Sequence, residues 1–192
     1  QLKPYYFKNL MSYYKVLLHR NNILKSNNKK MLSTIDVWNE KLADYGTVVC
    51  KYRNNIIKIL NENFDILDGI NKNEKIEFKY ISSIKEEFEN KEFFLKQLEK
   101  EYEKEIEKGI TLIGPHRDDI DILMNGKSIK KYGSQGQIRT CVLKLKLAEC
   151  EIIKKELGKN PILLLDDILS ELDEKRKSYF INKIKDKQIF IT

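Results

Sequence analysis

The chain has 192 residues, of which 41% are hydrophobic and 34% are charged, and its formal net charge is +7. This length allows one hydrophobic core with a smaller appendage, and a membrane-spanning helix is excluded because no run of about 18 apolar residues occurs. The N-terminus, Gln1 to Pro4, lacks the apolar core of a signal peptide and is typical of sequence inside a protein. Three cysteines without metal-type spacing, Cys50, Cys141 and Cys150, predict reduced, buried thiols in a cytoplasmic protein.

The positive charge is dispersed along the chain. Residues 1–82 carry 14 basic and 8 acidic residues (+6), residues 83–109 carry 6 and 9 (−3), and residues 110–192 carry 16 and 12 (+4). This distribution permits phosphate contacts with a nucleic acid, and it fits a solvated, lysine-rich surface equally well. Both interpretations of the charge stay open.

Residues 1–109 contain few glycines and prolines, which predicts a helical arm domain. The first helix is predicted from an apolar stripe at helical spacing, formed by Tyr6, Leu10, Tyr13 and Leu17. A second amphipathic pattern is predicted to end at Gly46, and a third covers residues 47–63. The clearest helix is predicted over Ser83–Lys108, with Gly109 as its C-terminal stop.

From residue 110 onward the pattern is that of an α/β region. Short apolar strands are predicted at Ile110–Ile113, Ile162–Leu165 and Gln188–Thr192. The second of these is apolar at every position, as expected of a parallel strand that is covered on both faces. Asn125-Gly126 predicts the turn of a β-hairpin, and a well-buried helix is predicted over about Gln135–Leu157.

Gly126-Lys127-Ser128 matches the end of a P-loop, the phosphate-gripping loop of many ATPases. The full motif needs a glycine five positions earlier, where this chain has Asp121, and it needs a helix directly after the loop. Because the tripeptide falls in the predicted hairpin, we interpret it as turn sequence. The chain then lacks the lysine and the backbone amides that hold β- and γ-phosphates.

Asp166 and Asp167 directly follow the all-apolar strand. Strand carboxyl ends in open α/β sheets face the ligand crevice, so both acids are candidates for a nucleotide site. Asp166 would hold Mg²⁺, an ion that takes one or two carboxylates together with phosphate oxygens, and Asp167 would polarise the attacking water. The alternative is that two acids merely end a strand. Ser170-Glu-Leu-Asp173, typical of a capping box, follows them and favours the functional interpretation.

Ser134-Gln-Gly136-Gln137 opens the predicted long helix. A helix N-terminus with a serine hydroxyl and free amides is an anion site, so Ser134, Gly136 and Gln137 are candidate nucleotide-binding residues. The alternative is an ordinary helix cap by Ser134. Arg139 lies one short turn further and would either steady the loop or the nucleotide, or form a surface salt bridge.

The cluster Gly114-Pro-His116-Arg117-Asp118-Asp119 has two interpretations. A metal role for His116 with the two aspartates lacks the second histidine or the thiols that usually accompany it. We prefer a structural junction between the helical arm and the following region, with Arg117 paired to an acid.

Three motifs in this order resemble the RecF family of bacterial DNA replication and repair proteins, within the ABC/SMC-type ATPases. They are Gly114-Pro-His-Arg-Asp-Asp119, Tyr132-Gly-Ser-Gln-Gly-Gln137 with Arg139, and Leu163-Leu-Leu-Asp-Asp-Ile-Leu-Ser-Glu-Leu-Asp173. Leu17-Leu-His-Arg20-Asn21 and Trp38-Asn-Glu-Lys-Leu42 resemble the arm of the same family. The resemblance implies a C-terminal fragment, with the helical arm domain at residues 1–109 and the C-terminal part of an α/β ATPase head at residues 110–192.

The resemblance also implies roles for individual residues. Asp166 matches the Walker B acid that holds Mg²⁺, and Asp167 matches the catalytic acid. The implied nucleotide-binding residues, from the signature loop and the loop at the dimer interface, are Ser134, Gly136, Gln137, Arg139 and Asp173. Proteins of this family form ATP-dependent homodimers, bind DNA at junctions of single and double strands, and act with recombination mediator proteins in the repair of DNA damage, including the SOS response.

Parts of the family pattern have no counterpart in this sequence. The Walker A segment, the glutamine loop and the N-terminal sheet are missing, and Thr192 lies about where the strand before the γ-phosphate sensor should continue. We therefore expect no ATP hydrolysis by this chain alone. The alternative function is a non-enzymatic helical interaction or DNA-binding module whose head part only packs.

Overall fold

The computed structural model describes residues 3–26, 28–64, 75–166, 174–185 and 187–191. Across these residues the fold is mixed α/β and mostly helical, with two small sheets. It divides into two compact units, the first built from residues 3–56 and 80–120 and the second from residues 57–79 and 121–192. None of the helices in the described ranges has both the length and the apolar character that a membrane span requires.

The helices are α1 (Pro4–Ser26), α2 (Lys29–Leu32), α3 (Ile35–Phe64), α4 (Lys91–Lys108), α5 (Ile129–Tyr132), α6 (Gln135–Leu157) and α7 (Glu174–Ile184). The strands are β1 (Ile76–Ile81), β2 (Asp119–Met124), β3 (Lys127–Ser128), β4 (Leu163–Leu165) and β5 (Ile189–Ile191). The first sheet has the order β1-β2-β3, and β2 and β3 are antiparallel. In the second sheet β4 and β5 are parallel, with Leu163 opposite Ile189.

The core of the first unit lies where α1, α3 and α4 meet. Its fully buried residues are Tyr13, Leu42, Ala43, Val49, Cys50, Ile84, Phe94 and Leu98. The predicted first helix is confirmed as α1, and its apolar stripe packs into this core. The three cysteines are buried free thiols, as the sequence predicts.

Gly46 does not end a helix, so that prediction is wrong. α3 runs without a break from Ile35 to Phe64 and joins the second and third predicted helices. A Cβ atom at Gly46 would lie 2.5 Å from Phe94 Cε1 and 3.2 Å from Tyr13 Cε2. The glycine therefore allows two buried rings to approach the α3 backbone closely.

The helix predicted over Ser83–Lys108 begins later than expected. α4 starts at Lys91, where the Asn90 side chain caps the first turn, and it ends at Gly109 with a φ of 65°, as predicted. The preceding residues form turns, although Ile84 among them is fully buried. The apolar spacing upstream of Lys91 thus identified core residues without identifying a helix.

The strand predicted at Ile110–Ile113 is wrong, because this segment is irregular. Thr111 N donates to the Asn21 side-chain oxygen at 2.8 Å, and Leu112 N donates to the Glu105 carboxylate at 2.7 Å. Side chains of α1 and α4 thus satisfy backbone donors that a strand would place in a ladder.

The hairpin predicted around Asn125-Gly126 is confirmed. Asn125 and Gly126 have positive φ angles of 51° and 79°, as a two-residue type I′ turn requires. Gly126-Lys127-Ser128 lies in this turn and in β3, so its interpretation as turn sequence is also confirmed.

The remaining strands differ from expectation in two respects. β1 was not predicted, and its backbone is paired at Phe78 with both atoms of the Asn61 side-chain amide (2.8 and 2.9 Å). β4 and β5 lie where strands were predicted, but Leu164 is 73% exposed while Leu163 and Leu165 are buried. The expectation that β4 is covered on both faces is therefore not met within the described residues.

Candidate functional site

The predicted long helix is confirmed as α6, and a capping box closes its first turn. Ser134 Oγ accepts a hydrogen bond from Gln137 N (3.3 Å), and the Gln137 side-chain oxygen accepts one from Ser134 N (2.9 Å). One turn later, Thr140 Oγ1 donates to Gly136 O at 2.7 Å. These bonds stabilise the first turn of α6 and its N-cap.

The cap leaves anion-binding groups available at this turn. The first four amides of a helix have no intrahelical acceptor, and here Ser134 satisfies those of Gln137 and Ile138. The amides of Gln135 and Gly136 stay at the positive end of the helix dipole, where an anion is favoured. Because Ser134 Oγ acts only as an acceptor in the cap, its proton is available to a ligand oxygen.

A small pocket lies beside the same loop. It has a volume of about 250 Å³ and is lined by the β2–β3 hairpin together with Tyr132, Gly133 and Gln137. Arg139 follows on α6, where it is half-buried and interacts within the chain. Ser134, Gly136, Gln137 and Arg139 are thus gathered at one helix end.

Asp166 directly follows β4, and its exposed side chain interacts within the chain. Among the described residues no group of three or more His, Cys, Asp or Glu side chains gathers at metal-binding range. A single carboxylate at the carboxyl end of a parallel strand fits Mg²⁺, which completes its shell with water and phosphate oxygens. Asp167, Asp173 and the predicted capping box at Ser170 lie outside the described residues.

Lys144 of α6 is a buried cation that the sequence analysis did not single out. It is 2% exposed and interacts within the chain. Burial raises the pKa of the nearby Cys141 thiol to about 11, and the charge of Lys144 acts in the opposite direction. The sequence signal that could have predicted the burial of Lys144 is its position, three residues after Cys141 in a helix that is otherwise apolar on several faces.

A cluster of hydrogen bonds around Asp118 holds the loop at residues 114–119. Asp118 Oδ1 accepts from Ser83 N (2.7 Å) and from Ser83 Oγ (2.8 Å), and Oδ2 accepts from the Tyr80 hydroxyl and the Cys50 thiol. Burial raises the pKa of Cys50 to about 12, and the charge of Asp118 adds to that rise. Cys50 is therefore a protonated structural thiol, and both carboxylate oxygens of Asp118 are used in hydrogen bonds that stabilise the fold.

His116 is hydrogen-bonded at both ring nitrogens, with Nδ1 2.7 Å from the Tyr13 hydroxyl and Nε2 3.1 Å from Thr111 O. Because a carbonyl oxygen only accepts, Nε2 carries the proton and Nδ1 accepts from Tyr13. Burial lowers the pKa of His116; the Thr111 bond opposes this shift, and the charge of Arg117 adds to it. The geometry favours the structural interpretation of His116, but Arg117 forms no ion pair within the described part of the chain.

A second polar network of the first unit is completely buried. Arg20 and Glu105 are both 0% exposed and form an ion pair at 2.6 Å. Arg20 also donates to Thr111 Oγ1 (2.7 Å) and to Asn39 Oδ1 (2.8 Å), while the other Glu105 oxygen accepts from Leu112 N. A desolvated ion pair persists when its remaining groups are satisfied in this way. The network fixes the irregular segment after α4 and is structural.

Comparisons with known proteins agree with the resemblance. No protein-family model matches the chain. It is 45% identical to the DNA replication and repair protein RecF of Ruminiclostridium cellulolyticum and 48% identical to that of Clostridium kluyveri, over 100% and 99% of this chain. The solved structure of the recombination mediator protein RecF with ATP, from the RecFOR pathway, superposes with a TM-score of 0.86 at 39% identity, and covers 97% of this chain.

The matches cover only part of those proteins. The chain spans 54% and 53% of the two RecF sequences and 52% of the solved chain. It therefore corresponds to about half the length of the proteins it matches.

Proposed function

Because the chain is homologous over its whole length to about half of a RecF protein, we propose that it supplies the helical arm and the C-terminal part of the head of an ABC/SMC-type ATPase. In this proposal the arm covers residues 1–109 and the head part covers residues 110–192. The observation that carries it is the superposition of 97% of the chain on a RecF structure solved with ATP. The intact protein acts in DNA replication and repair in the cytoplasm.

The site residues divide into two groups with different tasks. At the α6 N-terminus, the Ser134 hydroxyl and the amides of Gln135 and Gly136 bind the γ-phosphate of ATP held by a second subunit, so ATP joins the two subunits. Gln137 keeps this loop in shape through the capping box, and Arg139 supports the nucleotide. Asp173, which lies outside the described residues, is assigned to nucleotide binding by the family resemblance alone.

The strand end supplies the acids. Asp166 fits the role of a Mg²⁺ ligand, and the ion would neutralise phosphate charge when bound. Asp167 orients and polarises the attacking water. Neither acid can grip the β- and γ-phosphates, so turnover needs the P-loop of the other half of the head. This chain alone does not hydrolyse ATP.

The partners follow from the same proposal. The intact protein forms an ATP-dependent homodimer, binds DNA at junctions of single and double strands, and works with recombination mediator proteins during gap repair and the SOS response. The excess positive charge of residues 1–82 supports contact with DNA phosphates.

The first test uses the full-length protein that contains this chain. Asp167→Asn is expected to lower the rate of ATP hydrolysis about a hundredfold or more, because a positioned general base contributes that much, while ATP binding is retained. Glu103→Gln, an exposed acid of α4, is the matched control and leaves turnover unchanged. Unchanged turnover in Asp167→Asn would show that the mechanism assigned to Asp167 is wrong. A full-length protein without any ATP turnover would instead support a non-enzymatic module whose head part only packs.

A second variant tests the α6 end separately. Ser134→Gly removes the hydroxyl but destabilises the helix by only about a few tenths of a kcal/mol, because glycine is also an acceptable N-cap. The variant is expected to fold and to lose ATP-dependent dimerisation in sedimentation velocity. Retained dimerisation would show that the Ser134 hydroxyl is not part of the nucleotide site.

A further inference from the structure

The first unit carries a groove that none of the roles proposed above uses. It lies between the first turns of α3 and one face of α4 and has a volume of about 690 Å³. Its apolar part is formed by Leu32, Ile35, Leu95 and Tyr102. These side chains belong to or pack against the hydrophobic clusters of the unit, so the floor of the groove is a fixed part of the fold.

The polar residues of the groove give it a negative charge. Four carboxylates line it against a single lysine, Lys96, which gives −3 in a chain whose net charge is +7. Glu40 is bridged to Lys91 at 2.7 Å. Glu92 and Glu99 are exposed and form no ion pair within the described part of the chain. Their charge is therefore available to a basic partner.

The geometry of α4 sets the size of what can bind. The groove residues on this helix recur every three to four positions from Glu92 to Tyr102, so they share one face. Ten steps at about 1.5 Å each make this face about 15 Å long. A helix that docks through anchors at positions i, i+4 and i+7 needs about 11 Å, so the groove accommodates such a set.

We propose that this groove docks an amphipathic helix of a partner protein, with its apolar face on Leu95 and Tyr102 and its lysine or arginine residues beside Glu92 and Glu99. The apolar floor supplies the contact area, and the exposed carboxylates select a basic partner and orient it. This inference rests on the groove of the first unit and is independent of the proposed ATPase function.

The test uses the full 192-residue chain and defined peptides. The probe is a fluorescent peptide of about 14 residues, roughly four turns, with leucines on one face and lysines beside them. Its control has the same composition in an order that leaves no apolar face. Fluorescence anisotropy is expected to give an affinity about tenfold higher for the amphipathic peptide. Equal affinities would mean general charge attraction and would overturn the proposal.

Charge variants then locate the binding site. Glu92→Lys with Glu99→Lys is expected to weaken binding about tenfold, because two attractive pairs become repulsive, and Lys96→Glu is expected to strengthen it. Glu103→Lys with Glu107→Lys makes the same charge change at exposed positions of α4 outside the groove. This control should bind within about twofold of the unmodified chain.

Two outcomes would overturn the assignment. If both charge-reversal pairs weaken binding equally, the groove is not the binding site. If sedimentation velocity shows that the chain self-associates and that Glu92→Lys with Glu99→Lys abolishes this association without changing peptide affinity, the occupant is a second copy of the chain.

Discussion

At the scale of single residues, buried polar groups decide the conformation of the segment between α4 and β2. Asp118 binds the backbone and hydroxyl of Ser83, and Glu105 binds both Arg20 and the backbone of Leu112. Each of these acids lies in a hydrogen-bond network whose buried side-chain atoms all have partners in the described structure. Breaking one partner leaves a desolvated charge, so these positions tolerate substitution poorly.

His116 makes the stability of the protein depend on pH. Its pKa is lowered by burial, so between that value and the unfolded pKa of about 6.5 the unfolded chain binds more protons than the folded one. The stabilisation that comes from keeping His116 neutral is therefore fully present above about pH 6.5 and is lost as the pH falls through the pKa of the folded state. We expect the free energy of unfolding to decrease between about pH 7 and about pH 5. His116 contributes at most about 1.4 kcal/mol per pH unit to this decrease.

The measurement compares urea unfolding of the unmodified chain and of His116→Gln across this pH range. Glutamine keeps a donor and an acceptor but does not titrate, so the dependence of its stability on pH should be flatter, apart from a constant offset at all pH values. The ¹⁵N shifts of the imidazole report the tautomer directly and should place the proton on Nε2. Parallel stability curves for the two proteins would contradict the linkage.

These residue-level networks could be predicted only in part. His116, Arg117 and Asp118 are adjacent in sequence and were recognised as one cluster, and a structural role was preferred for it. Their partners Tyr80 and Tyr13 are 38 and 103 positions away, and no local pattern encodes such pairs. The sequence therefore identified the cluster but assigned an ion pair to Arg117 that does not form among the described residues.

At the scale of helices and strands, local sequence signals were reliable at helix ends and at turns, where particular residue types satisfy the backbone. Gly109 ends α4, Asn125-Gly126 forms the hairpin turn, and Ser134 with Gln137 opens α6 as a capping box. Each of these features is satisfied by residues within four positions of one another, so the sequence alone contains the information.

Predictions failed where distant contacts override local preference. Gly46 is typical of a helix stop, but α3 passes through it, and the missing side chain leaves room for the Phe94 and Tyr13 rings. β1 follows a region that the sequence left without a pattern, and the side chain of Asn61 pairs with its backbone. Nothing within a short window reports either contact.

The sign of the stability change caused by Gly46→Ala tests whether the Phe94 contact outweighs helix propensity. In a helix interior, glycine to alanine normally stabilises by about 0.5–1 kcal/mol. Here the new methyl group would meet the fully buried Phe94 ring at 2.5 Å, so we expect Gly46→Ala to destabilise the chain by about 1–3 kcal/mol. Chemical denaturation measures the change.

Two controls separate crowding from helix propensity. Asn55→Ala, at an exposed position of the same helix, should stabilise slightly or have no effect. Phe94→Leu is destabilising by itself, but combined with Gly46→Ala it should cost less than the sum of the two single changes, because the leucine vacates the contact. A stabilising Gly46→Ala would show that the rings shift without cost.

At the scale of the whole molecule, the homology covers about half of a RecF protein, and the described fold corresponds to that half. Within the described residues, β4 has one exposed face, at Leu164. The sequence predicted the relationship to RecF from the order of three motifs, while its division into a helical arm and a head part stays a prediction. It could not give the arrangement around Asp167 and Asp173, which lie outside the described residues.

The dispersed positive charge leads to the last prediction, which separates phosphate contact from a merely solvated surface. If the basic excess of residues 1–82 contacts DNA, the affinity for a duplex with a single-stranded overhang must fall steeply with salt, because each neutralised phosphate contributes about 0.7–0.9 to the logarithmic slope. Replacing three exposed lysines of α1 and α3, Lys8, Lys15 and Lys51, by glutamine should then lower that slope by about 2–3.

The matched control makes the same change of net charge elsewhere. Lys154, Lys155 and Lys159 are exposed near the end of α6, and their replacement by glutamine should leave the slope nearly unchanged. Equal losses in the two triple variants would mean that DNA senses only the total charge, since a long-range field does not distinguish positions. Binding without any salt dependence would exclude phosphate contacts altogether. A slope that falls only in the first variant would place the DNA phosphates at one or more of those three lysines.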